Sequence, residues 1–205
     1  MDILVVTGGI GSGKSEVCSI IREVFPCEVY EADRRVKQLY DVHPSLLSDI
    51  EFHLGCCLRD VDGKFRPACL AERIFSDRTA LEKVESLVFP ALMDDFAQWA
   101  SCHGNCMFVV FESATILEKP QFEGFADKVI VVDAPFQLRL KRACSRDGLP
   151  EDSVRSRMMN QVLMNMVSEG KIPDGIDAVI MNDGDMDDLR RQTVKTVNEL
   201  FGTNF

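Results

Sequence analysis

The sequence predicts an α/β fold in which a parallel β-sheet is covered by helices. Five short apolar runs, rich in Val, Ile and Phe, alternate with segments of helical periodicity. The runs lack a regular polar alternation, which is typical of strands buried on both faces. A Gly-rich loop follows the first run, and ligands of parallel sheets bind beyond the carboxyl ends of the strands. We therefore expect right-handed helical crossovers and a ligand site at that edge of the sheet.

The five predicted strands cover residues 3–7, 27–30, 107–111, 128–132 and 178–181. The 75 or so residues between the second and third strands exceed a simple crossover. They predict helices at 34–40, 44–54, 67–75 and 79–101, with a turn at 60–63. A second helical stretch runs from Pro135 to about Gly170 and is broken near residues 147–150. The pattern indicates one domain with two helical excursions.

The loop after the first strand fits the phosphate-binding template G-x-x-x-x-G-K-[ST] at Gly8, Gly13, Lys14 and Ser15. Its glycines let backbone N–H groups converge on an anion, and the following helix adds its positive end. Lys14 is expected to reach the β- and γ-phosphates, and the Ser15 hydroxyl to ligate Mg²⁺. The predicted nucleotide-binding residues of this segment are Gly9, Ile10, Gly11, Ser12, Gly13, Lys14, Ser15 and Glu16. The alternative is a Gly-rich turn that binds nothing.

Composition narrows the function classes. A formal net charge of −10 argues against binding to duplex nucleic acid, whose backbone needs clustered Lys and Arg. No apolar run approaches the roughly 20 residues of a membrane span, and because a core strand directly follows the first two residues we expect no signal peptide there. The eight cysteines show no zinc-ligand spacing and are interpreted as small core residues. We expect a cytoplasmic protein that binds neither nucleic acid nor membrane.

Asp33 is the first candidate for chemistry outside the loop. It ends the extension of the second strand, and a carboxylate there is suited to accept a proton from a hydroxyl nucleophile. It is equally suited to cap a helix that starts at Arg34. Glu31 is then the rival carboxylate.

Basic and polar residues follow the later strands. Arg142 and Arg146 are four apart, so they share a helix face and could clamp a phosphoryl group. The alternative is a solvated face with ion pairs to acidic neighbours such as Asp147. Glu112 is placed to lie near Mg²⁺ or to cap the next turn, and Asn182 begins a turn that could contact a purine.

Several of these residues belong to an ordered set of motifs that spans nearly the whole chain. The set comprises T-G-G-I-G-S-G-K-S at 7–15, A-D at 32–33, D-G-K-F-R at 62–66, L-V-F-P at 87–90, I-L-E at 116–118, V-D-A-P at 132–135, L-K-R-x-x-x-R-D at 140–147, Arg157 with Gln161, and V-I-x-N at 179–182. In this set the chain resembles the dephospho-CoA kinase family. The phosphate loop alone is shared by many NTPases, but the ordered set is far more specific.

The resemblance implies a P-loop NTPase of the nucleotide-kinase type, with a three-layer fold around a five-stranded parallel sheet. It implies a core of residues 1–32, 106–138 and 172–205, a helical CoA-binding insertion at about 33–105 and a helical lid at about 139–171. ATP with Mg²⁺ would phosphorylate the ribose 3′-hydroxyl of dephospho-CoA, the last step of coenzyme A synthesis. Asp33, Lys14, Arg142 and Arg146 would be catalytic, Asn182 would lie near the adenine, and a monomer is expected.

The chain departs from the family pattern at a few positions. Phe89 stands where the family usually has His, and Glu112-Ser113-Ala114 replaces Asp-Ile-Pro, which puts the role of Glu112 near Mg²⁺ in doubt. Glu31 replaces a common Asp, which is a mild change, and Glu16 stands where Thr or Ala is usual, which adds negative charge at the helix start near the nucleotide. Two alternatives stay open: a P-loop kinase of a nucleoside monophosphate or small metabolite, and a nucleotide-dependent switch. The absence of an N-K-x-D signature speaks against the second.

Overall fold

The computed structural model describes residues 1–119 and 122–205, which form two compact units. Met1–Glu31 and His103–Phe205 make up the sheet unit, and Ala32–Cys102 make up the helical unit. The strands are β1 (Asp2–Gly8), β2 (Cys27–Glu31), β3 (Phe108–Glu112), β4 (Lys128–Asp133) and β5 (Ala178–Met181). The helices are α1 (Lys14–Val24), α2 (Ala32–Val42), α3 (Pro44–Leu54), α4 (Pro67–Ser76), α5 (Arg78–Ser101), α6 (Phe136–Asp147), α7 (Glu151–Met159), α8 (Val162–Ser168) and α9 (Met186–Phe201), with a 3-10 turn at Ile116–Glu118.

The sheet has the order β2-β3-β1-β4-β5, and all four neighbouring pairs are parallel. This confirms the predicted α/β class and five-stranded parallel sheet, and each predicted strand end lies within one residue of the observed one. The central strand β1 pairs through Val5 with Phe111 of β3 and with Val129 of β4. Because the strands are parallel, their carboxyl ends meet at one edge, where the loop after β1 begins.

Both faces of the sheet are covered, which explains the near-continuous apolar strands. On one face, Leu4 and Val6 of β1 pack with Ile21 of α1 and Val197 of α9, all buried. On the other face, Val131 of β4 packs with Met164 of α8. Alternate residues of β4 therefore serve opposite layers, as the two-residue period of a strand requires. This is the three-layer arrangement expected of the class.

The helical unit has its own core. Leu47 of α3, Val88 of α5 and Leu39 of α2 are among its buried residues. Asp77 is the N-cap residue of the long helix α5. Its carboxylate accepts hydrogen bonds from the N–H groups of Thr79 at 2.9 Å and Ala80 at 3.1 Å. The predicted turn at 60–63 is enclosed by an isolated antiparallel β-bridge between Arg59 and Phe65. No helix of the described residues is long and apolar enough to cross a membrane.

Two expectations from the sequence are wrong. Asp33 is neither the last residue of a strand nor the residue before a helix, because β2 stops at Glu31 and α2 begins at Ala32, which places Asp33 within the first helical turn. Most of the cysteines are not core residues either. Only Cys18 and Cys27 are buried, and the other six are half-buried or exposed. Most of those six follow helix ends or lie in turns, where the chain stays near the surface.

Candidate active site

The loop from Gly8 to Ser15 joins the carboxyl end of β1 to the first residues of α1. The backbone φ angles are +74° at Gly11 and +96° at Gly13, a region that favours glycine. The Ser12 N–H donates to the Gly9 carbonyl at 3.1 Å and closes a tight turn. The predicted strand–loop–helix context is therefore present, with the amino end of α1 directed at the loop.

Lys14 is folded back over this loop. Its ammonium donates to the carbonyl of Gly8 at 2.9 Å and to that of Gly9 at 3.2 Å. Both carbonyls belong to the first half of the loop, so the positive charge lies directly above the curled backbone. Such a placement concentrates charge where an anion would be held by the loop amides.

Two amide side chains from distant segments hold the loop in shape. Asn182, which follows β5, is buried and donates from Nδ2 to the Ser12 carbonyl at 2.8 Å. Gln161, which precedes α8, accepts from the Ile10 N–H at 2.8 Å. A Cβ placed on Gly13 would lie 2.0 Å from Asn182 Nδ2, so the last glycine of the loop is required by this contact. The loop is thus braced by hydrogen bonds at Ile10 and Ser12.

Arg142 reaches the loop through Asn182. Its guanidinium donates from Nη1 to the Asn182 carbonyl at 3.1 Å and from Nη2 to the Asn182 side-chain oxygen at 3.3 Å. The Asn182 N–H in turn donates to the Asp133 carbonyl at 2.7 Å. Asn182 is therefore fixed on both sides, and Arg142 is placed close to the loop.

Arg146, one turn further along α6, faces solvent. It forms two hydrogen bonds with Asp147, at 2.7 Å from Nε and 3.1 Å from Nη2. Arg157 of α7 lies 3.9 Å from the same carboxylate. The hydrogen bond from Arg146 and the two positive charges hold the pKa of Asp147 below its usual value. The ion pairing weighed as the alternative for this segment is therefore present for Arg146.

Two carboxylates meet at the edge of the sheet beside the loop. Glu31 and Glu112 are register partners at the ends of β2 and β3. They line a cavity of about 210 Å³ together with Ser15 and Cys18. Hydroxyl and carboxylate oxygens are the ligands that Mg²⁺ prefers. The described residues hold no cluster of three or more His, Cys, Asp or Glu that would bind a metal ion by themselves.

Cys18 borders this cavity but is itself buried. Burial, and next the charge of Glu112, raise the pKa of its thiol well above the usual value. A neutral thiol is a poor metal ligand and a poor nucleophile. The oxygens of Ser15 and of the two glutamates are therefore the groups of this cavity that suit a hard cation.

The site residues predicted from the sequence fall in two places. The sheet unit brings together the loop, Lys14, Ser15, Asn182 and Arg142, while Arg146 lies one turn beyond. Glu16 lies exposed in the first turn of α1. Asp33 belongs to the helical unit, where its side chain is exposed in the first turn of α2.

Sequence reasoning missed two residues that touch the loop. Gln161 stands in the sequence prediction only as part of a motif, and Arg139 is not singled out there. A signal for Arg139 existed, because it falls in the apolar stripe that Phe136, Leu140 and Ala143 form on α6. A charged residue within such a stripe is expected to be buried, and Arg139 is only 2% exposed.

Comparison with known proteins finds relatives over most of the chain. The family model for dephospho-CoA kinase matches residues 2–188. A dephospho-CoA kinase from Porphyromonas gingivalis is 39% identical over 157 residues, which cover 76% of this chain and 75% of that protein. One from Chlorobaculum tepidum is 35% identical over 201 residues, or 95% of this chain and 93% of that protein. The solved structure of dephospho-CoA kinase from Campylobacter jejuni has a TM-score of 0.65 and 25% identity, and the match covers 98% of this chain and 97% of that chain.

Proposed function

The chain belongs to the dephospho-CoA kinase family, and on that premise we propose how its residues transfer the γ-phosphoryl group of ATP to the ribose 3′-hydroxyl of dephospho-CoA. The products are CoA and ADP, in the last step of coenzyme A synthesis. The observation that carries the assignment of roles is the braced loop with Lys14 above it. It supports the loop as the site of the ATP phosphates.

The loop amides and Lys14 bind the β- and γ-phosphates. Negative charge develops on the β–γ bridging oxygen as the bond to the γ-phosphorus breaks. Lys14 supplies a positive charge that is already fixed by Gly8 and Gly9, so little reorganisation is needed during the reaction. The folded protein therefore holds the Lys14 ammonium in position before the substrate binds.

Ser15, Glu31 and Glu112 would hold Mg²⁺, the first through its hydroxyl and the glutamates directly or through water. The oxygens of these residues fit a small, hard cation, and the phosphates of ATP would complete its coordination. When bound, Mg²⁺ neutralises charge on the β- and γ-phosphates. Glu112 thereby takes the role that its departure from the family pattern put in doubt.

Asp33 accepts the proton of the nucleophile. The 3′-oxygen forms a bond to the γ-phosphorus, the bond from that phosphorus to ADP breaks, and the hydroxyl proton passes to a carboxylate. Asp33 is an exposed carboxylate two residues after the end of β2, and it matches the catalytic carboxylate implied by the family. Ligands of parallel sheets bind beyond the carboxyl ends of the strands, which supports this role.

Arg146 supplies further charge to the transferring group, and Arg142 acts beside the loop. Arg146 is 64% exposed, and its carboxylate partner Asp147 is a neighbour in sequence, so a phosphate can compete for its planar donors. Arg142 is committed to Asn182, which favours a role in holding the nucleotide end of the site. Asn182 itself would lie near the adenine.

The remaining parts of the proposal concern the whole chain. We assign residues of about 33–105 to the CoA moiety and about 139–171 to a lid that excludes water when it closes. The eight cysteines are all free thiols, which supports a reducing compartment such as the cytoplasm. The net charge of −10 opposes self-association and supports a monomer.

A panel of acceptors tests the proposed reaction. Purified protein with ATP and Mg²⁺ is given dephospho-CoA, AMP, CMP or UMP in parallel, and ADP and CoA are quantified by chromatography. We expect ADP and CoA to form in equal amounts with dephospho-CoA and little ADP with the nucleotides. Transfer to a nucleoside monophosphate without CoA formation would assign the chain a different acceptor and refute the proposal.

A further inference from the structure

We infer that Arg139 is a positioning residue for the phosphate loop, and that its buried pairing with Asp133 serves this task. The guanidinium lies against Gly9 and fixes the carbonyl that receives Lys14. The inference deepens the proposed function and rests on the loop being the site of the ATP phosphates.

Arg139 contacts the loop through both its side chain and its backbone. A Cβ placed on Gly9 would lie 2.1 Å from Arg139 Nη1, and one on Gly11 would lie 2.2 Å from the Arg139 carbonyl oxygen. The φ angle of Gly9 is not in the left-handed region, so the backbone conformation alone does not require glycine at this position. Arg139 therefore accounts for glycine at position 9, as Asn182 does at position 13.

The contact leads directly to Lys14. The Gly9 carbonyl accepts from Lys14 Nζ at 3.2 Å and from the Ser12 N–H at 3.1 Å. Because both donors hold this one carbonyl, a shift of Gly9 into the space that Arg139 fills would disturb both hydrogen bonds. Arg139 thus acts on the nucleotide phosphates through Gly9 and Lys14.

The ion pair of Arg139 with Asp133 has an unusual geometry. Arg139 Nε lies 3.7 Å from Asp133 Oδ1, and the two side chains are 2% and 3% exposed. Neither of these two atoms has a hydrogen-bond partner among the described residues. Burial lowers the pKa of Arg139, and the charge of Asp133 only partly opposes this effect. A buried pair with unmade hydrogen bonds is a poor source of stability, so its presence against the loop indicates a role in the site.

Asp133 is held independently of Arg139. Its Oδ2 accepts from the Ser168 hydroxyl at 2.9 Å, and its carbonyl accepts from the Asn182 N–H at 2.7 Å. The carboxylate is therefore a fixed counter-ion that keeps the guanidinium charged and in place beneath Gly9. Removing Arg139 alone would leave this carboxylate buried without a cation.

The test separates positioning from simple stability. In the double variant Asp133→Asn with Arg139→Gln, both charges are removed together, so no uncompensated charge remains. We expect its Kd for ADP with Mg²⁺, measured by calorimetry, to rise about tenfold, and its KM for ATP to rise in parallel. The KM for dephospho-CoA should change less than twofold, and the thermal midpoint by only a few degrees. Arg139→Lys keeps the charge but not the planar group, and we expect an intermediate loss.

Arg190→Gln is the control. Arg190 of α9 lies in the same unit and is also paired with a carboxylate, since its guanidinium donates to Glu23 at 2.8 Å and 3.2 Å, but it is half-exposed. We expect wild-type nucleotide affinity for this variant. An equal loss in Arg190→Gln would mean that removing any paired arginine from this unit suffices, and would overturn the inference.

A double-mutant cycle with Gly9→Ala gives the sharper readout. In the wild-type background the added methyl group must displace Arg139, and we expect at least a tenfold rise in the Kd for ADP. In the Asp133→Asn, Arg139→Gln background the same change should cost less than threefold. Effects that multiply independently would overturn the inference, as would wild-type ADP affinity in the charge-free variant. Failure of the charge-free and Arg139→Lys variants to fold would assign the pair to stability alone. ADP binding needs no acceptor, so an error in the proposed function would not affect this outcome.

Discussion

At the scale of single residues, the proposed mechanism depends most on Asp33, the carboxylate assigned to accept the hydroxyl proton. Replacing it by Asn keeps the size and removes the proton acceptor. We expect kcat to fall roughly 10²- to 10⁴-fold, the range of general-base effects, with the Kd for ADP changed less than threefold. The control is Asp41→Asn, which changes an exposed carboxylate at the other end of the same helix. This variant should keep the wild-type kcat and Kd for ADP. An equal loss of turnover and nucleotide affinity in Asp33→Asn would instead place Asp33 in the nucleotide site or the fold.

Lys14 has a different signature from Asp33. Its ammonium lies over the loop, where it contacts two carbonyls, and the proposal assigns it to the β- and γ-phosphates. Lys14→Ala should raise the Kd for ADP at least tenfold and also lower kcat, because the charge acts in both the ground state and the transition state. Calorimetry and steady-state rates distinguish the two effects. Full activity in this variant would rule out the loop as the phosphate site.

Asn182 tests how the loop is braced. Asn182→Asp keeps an acceptor for Arg142 but loses the donor to the Ser12 carbonyl, whereas Asn182→Ala loses both. A buried carbonyl without its partner costs about 1–3 kcal/mol. We expect both variants to raise the KM for ATP about tenfold, with the Asp variant no better than Ala because its second oxygen faces the Ser12 carbonyl. Rescue by Asp would show that Arg142 alone matters.

At the scale of elements, the strands were predictable and the contacts around the loop were not. Strands buried on both faces produce apolar runs such as 128–132, whose ends are visible in sequence. Asp33 was misplaced because α2 starts directly after β2, with no turn residue to mark the boundary. The hydrogen bond between Ile10 and Gln161 joins residues 151 positions apart, and no local sequence pattern predicts such a contact. The sequence motif therefore identifies the loop, whereas the side chains that brace it, Asn182 and Gln161, can be identified only from the folded structure.

The start of α5 offers a prediction about one element of the helical unit. Asp77→Ala removes the acceptor for the Thr79 and Ala80 N–H groups and should lower the free energy of unfolding by about 1 kcal/mol. Asp77→Asn keeps a capping oxygen and should be close to wild type. Urea denaturation followed by circular dichroism measures both variants. A similar loss in the two would attribute the effect to charge rather than to capping.

At the scale of the whole molecule, two buried thiols make the free energy of unfolding decrease as the pH becomes alkaline. Burial raises the pKa of the Cys27 thiol to about 12 from an ordinary value of 9.0, and it raises the pKa of Cys18 as well. In the unfolded chain both thiols ionise near pH 9, while in the folded protein they stay neutral. The unfolded state therefore gains stability from ionisation as the pH rises past 9. The folded protein loses stability over the window from about 9 to about 12.

The expected size of this loss follows from the ionisation of the unfolded state. At pH 10 each thiol costs roughly 1.4 kcal/mol of stability relative to pH 7.5. Urea midpoints measured under reducing conditions from pH 7.5 to 10 should fall accordingly. Cys27→Ala lowers stability at every pH, but its slope with pH should be about half as steep. Cys102→Ser, at an exposed position, should leave the slope unchanged. An unchanged slope in Cys27→Ala would mean that other groups titrate, and that the buried thiols do not control the alkaline limit of the fold.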